Sequence, residues 1–319
     1  MDDLARIAGV AKITISRALR NSESVNEKTR EKIQALAEKH GYRFNVSARN
    51  LRLRQSHTIA VIVEMTPSSD RPMSDPYPLE LLGGVAQELS STPYSILLTP
   101  RHAALPPAVQ AADAVILLGQ GVRREAVELL GRLRRPMVVW GASDPAEDYV
   151  VVGSNNYQGG MLAAERFLAL GRHLPVFIGD TEHPEMSERY RGFEESFRAR
   201  GITPFAVNPR RFTSEAGSEL INGLLQKKVR FDAVFAASDL LAVGAIRRLV
   251  EAGLRIPDAI SVIGFDDTQM GASFIPPLTS IHQNWREGGA LLARKALGLI
   301  NHDGVRSEVL PCHLVLRAT

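Results

Sequence analysis

Residues 2–42, DDLARIAGVAKITISRALRNSESVNEKTREKIQALAEKHGY, hold three apolar triplets at helical spacing. They are Leu4, Ile7 and Ala8, then Ile15, Ala18 and Leu19, then Ile33, Leu36 and Ala37. Each is an i, i+3, i+4 stripe, the mark of a helix with one buried face. Gly9 accepts the left-handed backbone that lets one helix end sharply and the next begin. Three short helices with a tight turn between the first two predict a helix-turn-helix unit. The outward positions of its second helix, Lys12, Ile13, Thr14, Ser16 and Arg17, are suited to duplex DNA.

The charge distribution points the same way. Residues 1–58 carry 12 Lys and Arg against 6 Asp and Glu, a balance of +6. The whole chain has 38 against 35, so the other 261 of its 319 residues carry 26 against 29, or −3. A basic head on a mildly acidic body implies a polyanionic partner for the head alone. Arg and Lys on a single exposed helix usually mark only a solvated face. Three matching stripes, the glycine turn and the local charge together outweigh that reading.

A chain of this length calls for two or three structural units. Cys312 is the only cysteine, which excludes an intrachain disulfide and a thiolate metal cluster. The acidic start and the lack of a long apolar run lead us to expect a cytoplasmic, nucleoid-associated protein with no membrane contact.

Past Gly41 the texture changes. Residues 45–57 are polar and basic, with a short helix possible from Val46 to Leu51, and read as a hinge or linker. From Thr58 onward, short apolar runs such as Ile59–Val63, Ala114–Leu118, Ala233–Ala236 and Ser261–Phe265 alternate with helix-length segments. That alternation predicts parallel sheets covered on both faces, and the number of runs suits two such sheets. Ligands of open α/β sheets lie beyond the carboxyl ends of the strands. The candidate binding loops are therefore 64–77, 119–121, 153–156, 179–189, 237–239 and 265–268.

The run quoted first closely resembles the DNA-binding head of the lactose-repressor family of bacterial transcription regulators. NVSARNLR (45–52) resembles that family's hinge helix. AASDLLAVGAIRRLVEAGLRIPDAISVIGFDD (236–267) and PPLTSIHQNWREGGALLARKAL (276–297) resemble its ligand-binding core. The resemblance spans essentially the whole chain, in order. It implies an all-α helix-turn-helix head at 1–44, a hinge at 45–57 and, at 58–319, a two-lobed α/β core like a periplasmic sugar-binding protein. The lobes are expected at 58–152 plus 284–303 and at 153–283 plus 304–319. Such regulators act as homodimers, in some cases tetramers, on near-palindromic double-stranded operators, and a small effector between the lobes shifts operator affinity allosterically.

The resemblance puts Lys12, Ile13 and Arg17 at base-reading positions of a helix in the major groove. Arg17 can donate twice to guanine, which is worth about 1–3 kcal/mol of discrimination, whereas Ile13 can only meet a thymine methyl. Thr14, Ser16, Asn26, Thr29 and Arg30 suit phosphates, which set register without reading sequence. In the hinge, Leu51 takes the place of a leucine wedge in the minor groove, Ala48 keeps the helix slim, and Arg49 and Arg52 flank it on phosphates. Two departures stand out: Ala11 replaces a capping serine, and Phe44 replaces a proline.

By the same resemblance, Arg189 in SERYRGF holds effector oxygens and Asp239 in ASDLLA accepts from sugar hydroxyls or a base. Tyr77, Phe212 and Trp285 line the cleft, Gln283 lies at the lobe crossover, and Asn155 and Asn156 match an Asp-Asn pair. Bland readings compete at several positions. Trp285 could be ordinary core, Arg189 could pair with Glu185 or Glu188, and Asp239 could simply cap a helix. Loss of the acid at 155 suggests a more neutral cleft, suited to a sugar acid beside Arg189. The region between Leu98 and Ala114, with Pro100, Pro106 and Pro107, predicts a truncated or absent second helix in the first lobe.

No enzyme signature competes. Gly119-Gln120-Gly121 lacks the third glycine of a dinucleotide loop, the eight histidines show no paired metal spacing, and no Gly-x-Ser-x-Gly elbow is present. Asp266-Asp267 could bind a metal, but turn formation explains them as easily. We therefore expect no catalysis, cofactor or metal. The alternatives are a sugar-binding receptor without DNA function, which would not need the basic head, and a corepressor-type regulator binding a purine-like ligand.

Overall fold

The computed structural model describes residues 2–19, 21–42, 55–64, 75–102, 104–143 and 149–319. The chain divides into two compact units, Met1–Ser56 and His57–Thr319.

In the first unit, α1 (Asp2–Ala8), α2 (Lys12–Ala18) and α3 (Glu27–Lys39) enclose a small core of Leu4, Ile15, Ala18, Val25, Ile33 and Ala37. Gly9 takes φ +68°, and Val10 N–H closes the end of α1 on the Ala5 carbonyl at 3.1 Å. One expected core residue differs: Ile7 is 50% exposed. α1 has only two turns, and Val25, from the segment before α3, joins the buried set instead.

The second unit begins with the first lobe: β1 (Thr58–Val63), α4 (Pro76–Leu89), β2 (Ser95–Pro100), α5 (Pro107–Gln110), β3 (Ala114–Leu118), α6 (Glu125–Gly131), β4 (Met137–Trp140) and β5 (Val150–Ser154). The second lobe follows with α7 (Asn156–Ala169), β6 (Pro175–Ile178), α8 (Pro184–Arg198), β7 (Phe205–Val207), α9 (Ser214–Gln226), β8 (Ala233–Ala236), α10 (Asp239–Glu251), β9 (Ser261–Asp266), α11 (Gln269–Ser273) and β10 (Thr279–His282). α12 (Trp285–Ile300) packs against α4 and the first sheet, and the chain ends with β11 (Glu308–Leu310) and β12 (His313–Val315).

The sheets run β11-β5-β4-β3-β1-β2 and β12-β10-β9-β8-β6-β7, with every pairing parallel except β10 with β12. The continuous apolar runs follow from burial on both faces. In β1, Ile59, Val61 and Val63 pack toward α4 and α12, while Ala60 and Ile62 join the core under α5 and α6. β8 repeats the device: Val234 and Ala236 face the α9–α10 core, and Ala233 and Phe235 face a cluster with Phe167, Phe193 and Phe197.

Two boundaries differ from expectation. β5 runs to Ser154, and β11 pairs with β5 in register (Glu308 opposite Val152), so residues 308–310 belong to the first lobe rather than the second. The chain thus crosses between lobes three times: after β5, after β10, and between β11 and β12. The shortened region of the first lobe contains α5, one turn of four residues that starts after Pro106.

Glycine sets the spacing of three helix pairs. A β-carbon at Gly84 would strike the Arg286 carbonyl oxygen, and one at Gly289 the Leu81 carbonyl oxygen. Gly160 and Gly192 do the same for α7 and α8, and Gly217 and Gly244 for α9 and α10. Among the described residues no helix is long and apolar enough to cross a membrane.

Candidate functional site

The head presents one side of α2. Ile15 and Ala18 are buried, while Lys12, Ile13 (56% exposed) and Arg17 face outward, with Thr14 and Ser16 half-buried. Lys12 Nζ is paired with Asp2 at 2.8 Å. Ala11 precedes α2 in an extended conformation and gives no side-chain cap, as its methyl group requires. Asn26 caps α3, its Oδ1 accepting from Lys28 N–H at 3.0 Å, so only its amide N–H groups are left for a phosphate. Thr29 and Arg30 are half-buried on the first turn of α3, and Arg30 lies 3.7 Å from Glu27. Ala48, Arg49, Leu51 and Arg52 lie outside the described residues.

In the second unit, a cleft of about 840 Å³ opens at the carboxyl ends of the two sheets. Each of the six loops named from the strand pattern supplies at least one wall residue: Glu64, Gly119, Ser154, Glu185, Ala237 and Asp266 are examples. Parallel strands end at one edge of each sheet, so their following loops converge there.

Arg189 sits at the centre of this wall, buried, on the first half of α8. Its Nε donates to Asn156 Oδ1 at 2.8 Å, and one terminal N–H group donates to the Ala237 carbonyl. The guanidinium carbon stacks 3.6 Å from the centroid of Phe265. Burial pulls the guanidinium pKa down, and the neighbouring Asp266 opposes that shift. Two of the five N–H donors of an arginine are thereby used, which fixes the plane and leaves the others for ligand oxygens.

Asp266 ends β9 with φ +112° and accepts from Gln283 Nε2 at 2.6 Å. Its pKa is raised well above the usual carboxylate range by burial; Arg189 is the largest opposing influence, and Asp239 and Asp75 add smaller upward ones. On the first-lobe side, Gln120 is almost wholly buried and bonds Ala142 in both directions, donating to its carbonyl at 3.0 Å and accepting from its N–H at 2.9 Å. That two-way amide pair fastens the loop after β3 to the loop after β4 beneath the ligand space. Trp140 ends β4 on the same wall. Glu64 is ion-paired with Arg101, yet burial still moves its pKa upward.

Of the expected effector residues, Tyr77, Asn156, Arg189, Phe212 and Gln283 line the cleft. Three do not. Asn155 turns its side chain to cap α7, accepting from Gln158 N–H at 3.0 Å. Trp285 is 6% exposed inside the first-lobe core, edge-on to Tyr77 at 5.9 Å between ring centroids. Asp239 is fully buried behind the wall, where it accepts from Thr268 N–H at 2.6 Å, Thr268 Oγ1 at 2.9 Å and Ser280 Oγ at 2.6 Å. Its three bonds all serve the protein, and burial pushes its pKa up to about 6. Asp266 is the second-lobe aspartate that reaches the cleft. Asp266, Glu64, Ser154 and Gln120 were signalled only by lying in strand-following loops, and Trp140 by ending an apolar run.

The expected neutral wall is corrected as well. Among the described residues it carries four carboxyl groups, Glu64, Asp75, Glu185 and Asp266, against one guanidinium, Arg189.

The comparisons with known proteins agree with this architecture. Residues 1–45 match the family described as bacterial regulatory proteins, lacI family, and residues 164–319 match the periplasmic binding protein-like domain. The transcriptional regulator CelR of Thermobifida fusca is 28% identical over 99% of this chain and 97% of its own. The transcriptional repressor PurR of Photobacterium profundum is 29% identical over 90% and 87%. The lac repressor dimer solved with operator and the anti-inducer ONPF superposes with a TM-score of 0.86, at 25% identity over 99% of this chain and 97% of that one. The CelR–cellobiose complex gives 0.71, at 26% identity over 99% and 98%.

A helix-turn-helix head on a two-lobed parallel α/β core defines a ligand-responsive transcription regulator. The chain carries a lacI family helix-turn-helix head and a periplasmic binding protein-like domain, its homologues are lacI family regulators, and it is a DNA-binding repressor with an effector-binding domain.

Proposed function

We propose that this repressor works in the cytoplasm as a homodimer on a near-palindromic operator, and that a sugar-like effector in the cleft sets its operator affinity. The observation that carries the DNA half is the division of α2: Ile15 and Ala18 hold the head together, while Lys12, Ile13 and Arg17 are free of core duty. An exposed isoleucine between two cations has no packing role and fits a thymine methyl. The effector half rests on Arg189, held by Asn156 and Ala237 with donors to spare, on the same wall as the aromatic ring of Phe212. Hydroxyl groups and an apolar ring face are what such a wall accepts.

Relatives represent both alternatives: PurR repressors stand for the purine-like one, and the preference for a sugar rests on the donors of Arg189. CelR is solved with cellobiose, and a lacI family regulator from Enterococcus faecium with ribose at 25% identity and a TM-score of 0.71. Selection from random duplexes should enrich a two-half-site sequence. Sugars and purines screened by thermal shift should yield a ligand that raises the melting temperature and alters migration of the operator complex. Failure to enrich any site removes the DNA half; a purine as the only active ligand replaces the sugar with the corepressor alternative.

A further inference from the structure

The composition of the cleft wall narrows the ligand further, resting on the reading that the cleft is the effector site. Only Arg189 offers a fixed positive charge among the described wall residues, and it is partly committed to Asn156 and Ala237. Arg101 balances Glu64, whereas Glu185 and Asp266 share the single positive charge of Arg189. Gln283 supplies Asp266 with a neutral donor only. Ser154 Oγ is buried on the same wall with no nitrogen or oxygen partner among the described residues. Among the described wall residues, carboxyl groups therefore outnumber fixed cations.

We propose that the cleft takes a polyhydroxylated ligand bearing a protonated amine, an amino sugar or an aminocyclitol. Its hydroxyl oxygens meet the spare N–H groups of Arg189, and its ammonium meets the carboxylates around Asp266. A neutral sugar leaves Asp266 and Glu185 sharing one guanidinium in a partly dehydrated wall, which is costly for a second carboxylate. An ammonium supplies both the missing charge and three donors. Burial is the main cause of the upward shift of the Asp266 pKa and Arg189 opposes it; an ammonium beside Asp266 would favour the ionised form further.

The test is calorimetric titration of the full-length protein at neutral pH with D-glucosamine, D-glucose and D-gluconate. The β-1,4-linked dimers, chitosan disaccharide, cellobiose and cellobionate, cover a larger ligand. At whichever size binds, the amine should bind at least about ten-fold more tightly than the neutral sugar. Asp266→Asn and, separately, Glu185→Gln should reduce that ratio to about three-fold or less. Equal or tighter binding of the neutral sugar or of the acid overturns the amine assignment. If that binding is still lost in Arg189→Ala, the cleft stands as the effector site. No saturable binding by any of the six probes overturns both.

Discussion

Gly160 on α7 and Gly192 on α8 face each other so closely that neither can carry a side chain. A β-carbon at Gly160 would overlap the Arg189 carbonyl oxygen, and one at Gly192 the Tyr157 carbonyl oxygen. Each glycine thus admits a neighbour of a cleft residue, because Tyr157 follows Asn156 and Arg189 begins the same turn as Gly192. The bond between Asn156 and Arg189 depends on that approach. A packing feature of two helices is in this way also a feature of the ligand site.

Gly192→Ala should therefore destabilise the core by about 1–3 kcal/mol, the usual cost of overpacking. It should also weaken effector binding by displacing Arg189. Gly223, on the interior of α9 with nothing within 4 Å of its would-be β-carbon, provides the contrast. Gly223→Ala should stabilise by roughly 0.5–1 kcal/mol through helix propensity. Denaturant unfolding followed by circular dichroism reads both.

In the head, Ile13 and Ile15 sit two residues apart and should respond in opposite ways. Ile15→Ala removes fully buried atoms and should cost about 2–5 kcal/mol, enough to unfold so small a unit. Ile13→Ala should leave stability within about 0.5 kcal/mol while altering operator selectivity. Arg17→Ala should lose about 1–3 kcal/mol of discrimination at one base position, seen as relaxed choice there in a duplex library. An unaltered preference profile removes Arg17 from the base-reading set.

Asp239 gives a pH prediction. Its folded pKa of about 6 lies above its ordinary 3.8, so the folded state holds the proton more tightly than the unfolded chain. The stability it contributes is fully present below about pH 4 and is lost as pH rises through about 6. Asp239→Asn should lower stability, because one amide oxygen replaces two carboxylate oxygens that accept three bonds. It should also flatten the pH slope between those values. Thermal midpoints of the two proteins from pH 4 to 7 test this, and parallel slopes would contradict it.

Gln120 should matter to both stability and ligand binding. Gln120→Ala leaves the N–H and carbonyl of Ala142 unpaired in a buried setting, at a cost of about 1–3 kcal/mol per orphaned group. It also frees the loops after β3 and β4 from each other. A weaker effector affinity without change in operator affinity of the ligand-free protein is the expected pattern in titration and gel shift.

The head was legible because its logic is local. Helical spacing, Gly9 and the face carrying Lys12, Ile13 and Arg17 are all written within a few turns of chain. The eight long strands and the loops after them were also legible, since burial on both faces demands continuous apolar runs. β7, β11 and β12 escaped as segments of three residues, and β10 (TSIH), although as long as β4, β6 or β8, because it is not a continuous apolar run.

What the sequence by itself determined is therefore the order of units, the exposed face of α2 and which six loops line the cleft. Only the tertiary structure decided which side chain in each loop reaches the cleft. Asp239 and Asp266 are both aspartates at the edge of a strand-following loop. One turns inward to Thr268 and Ser280, and the other ends β9 beside Arg189. That choice depends on partners 17 or more positions away, brought near by sheet order, and no local pattern carries it.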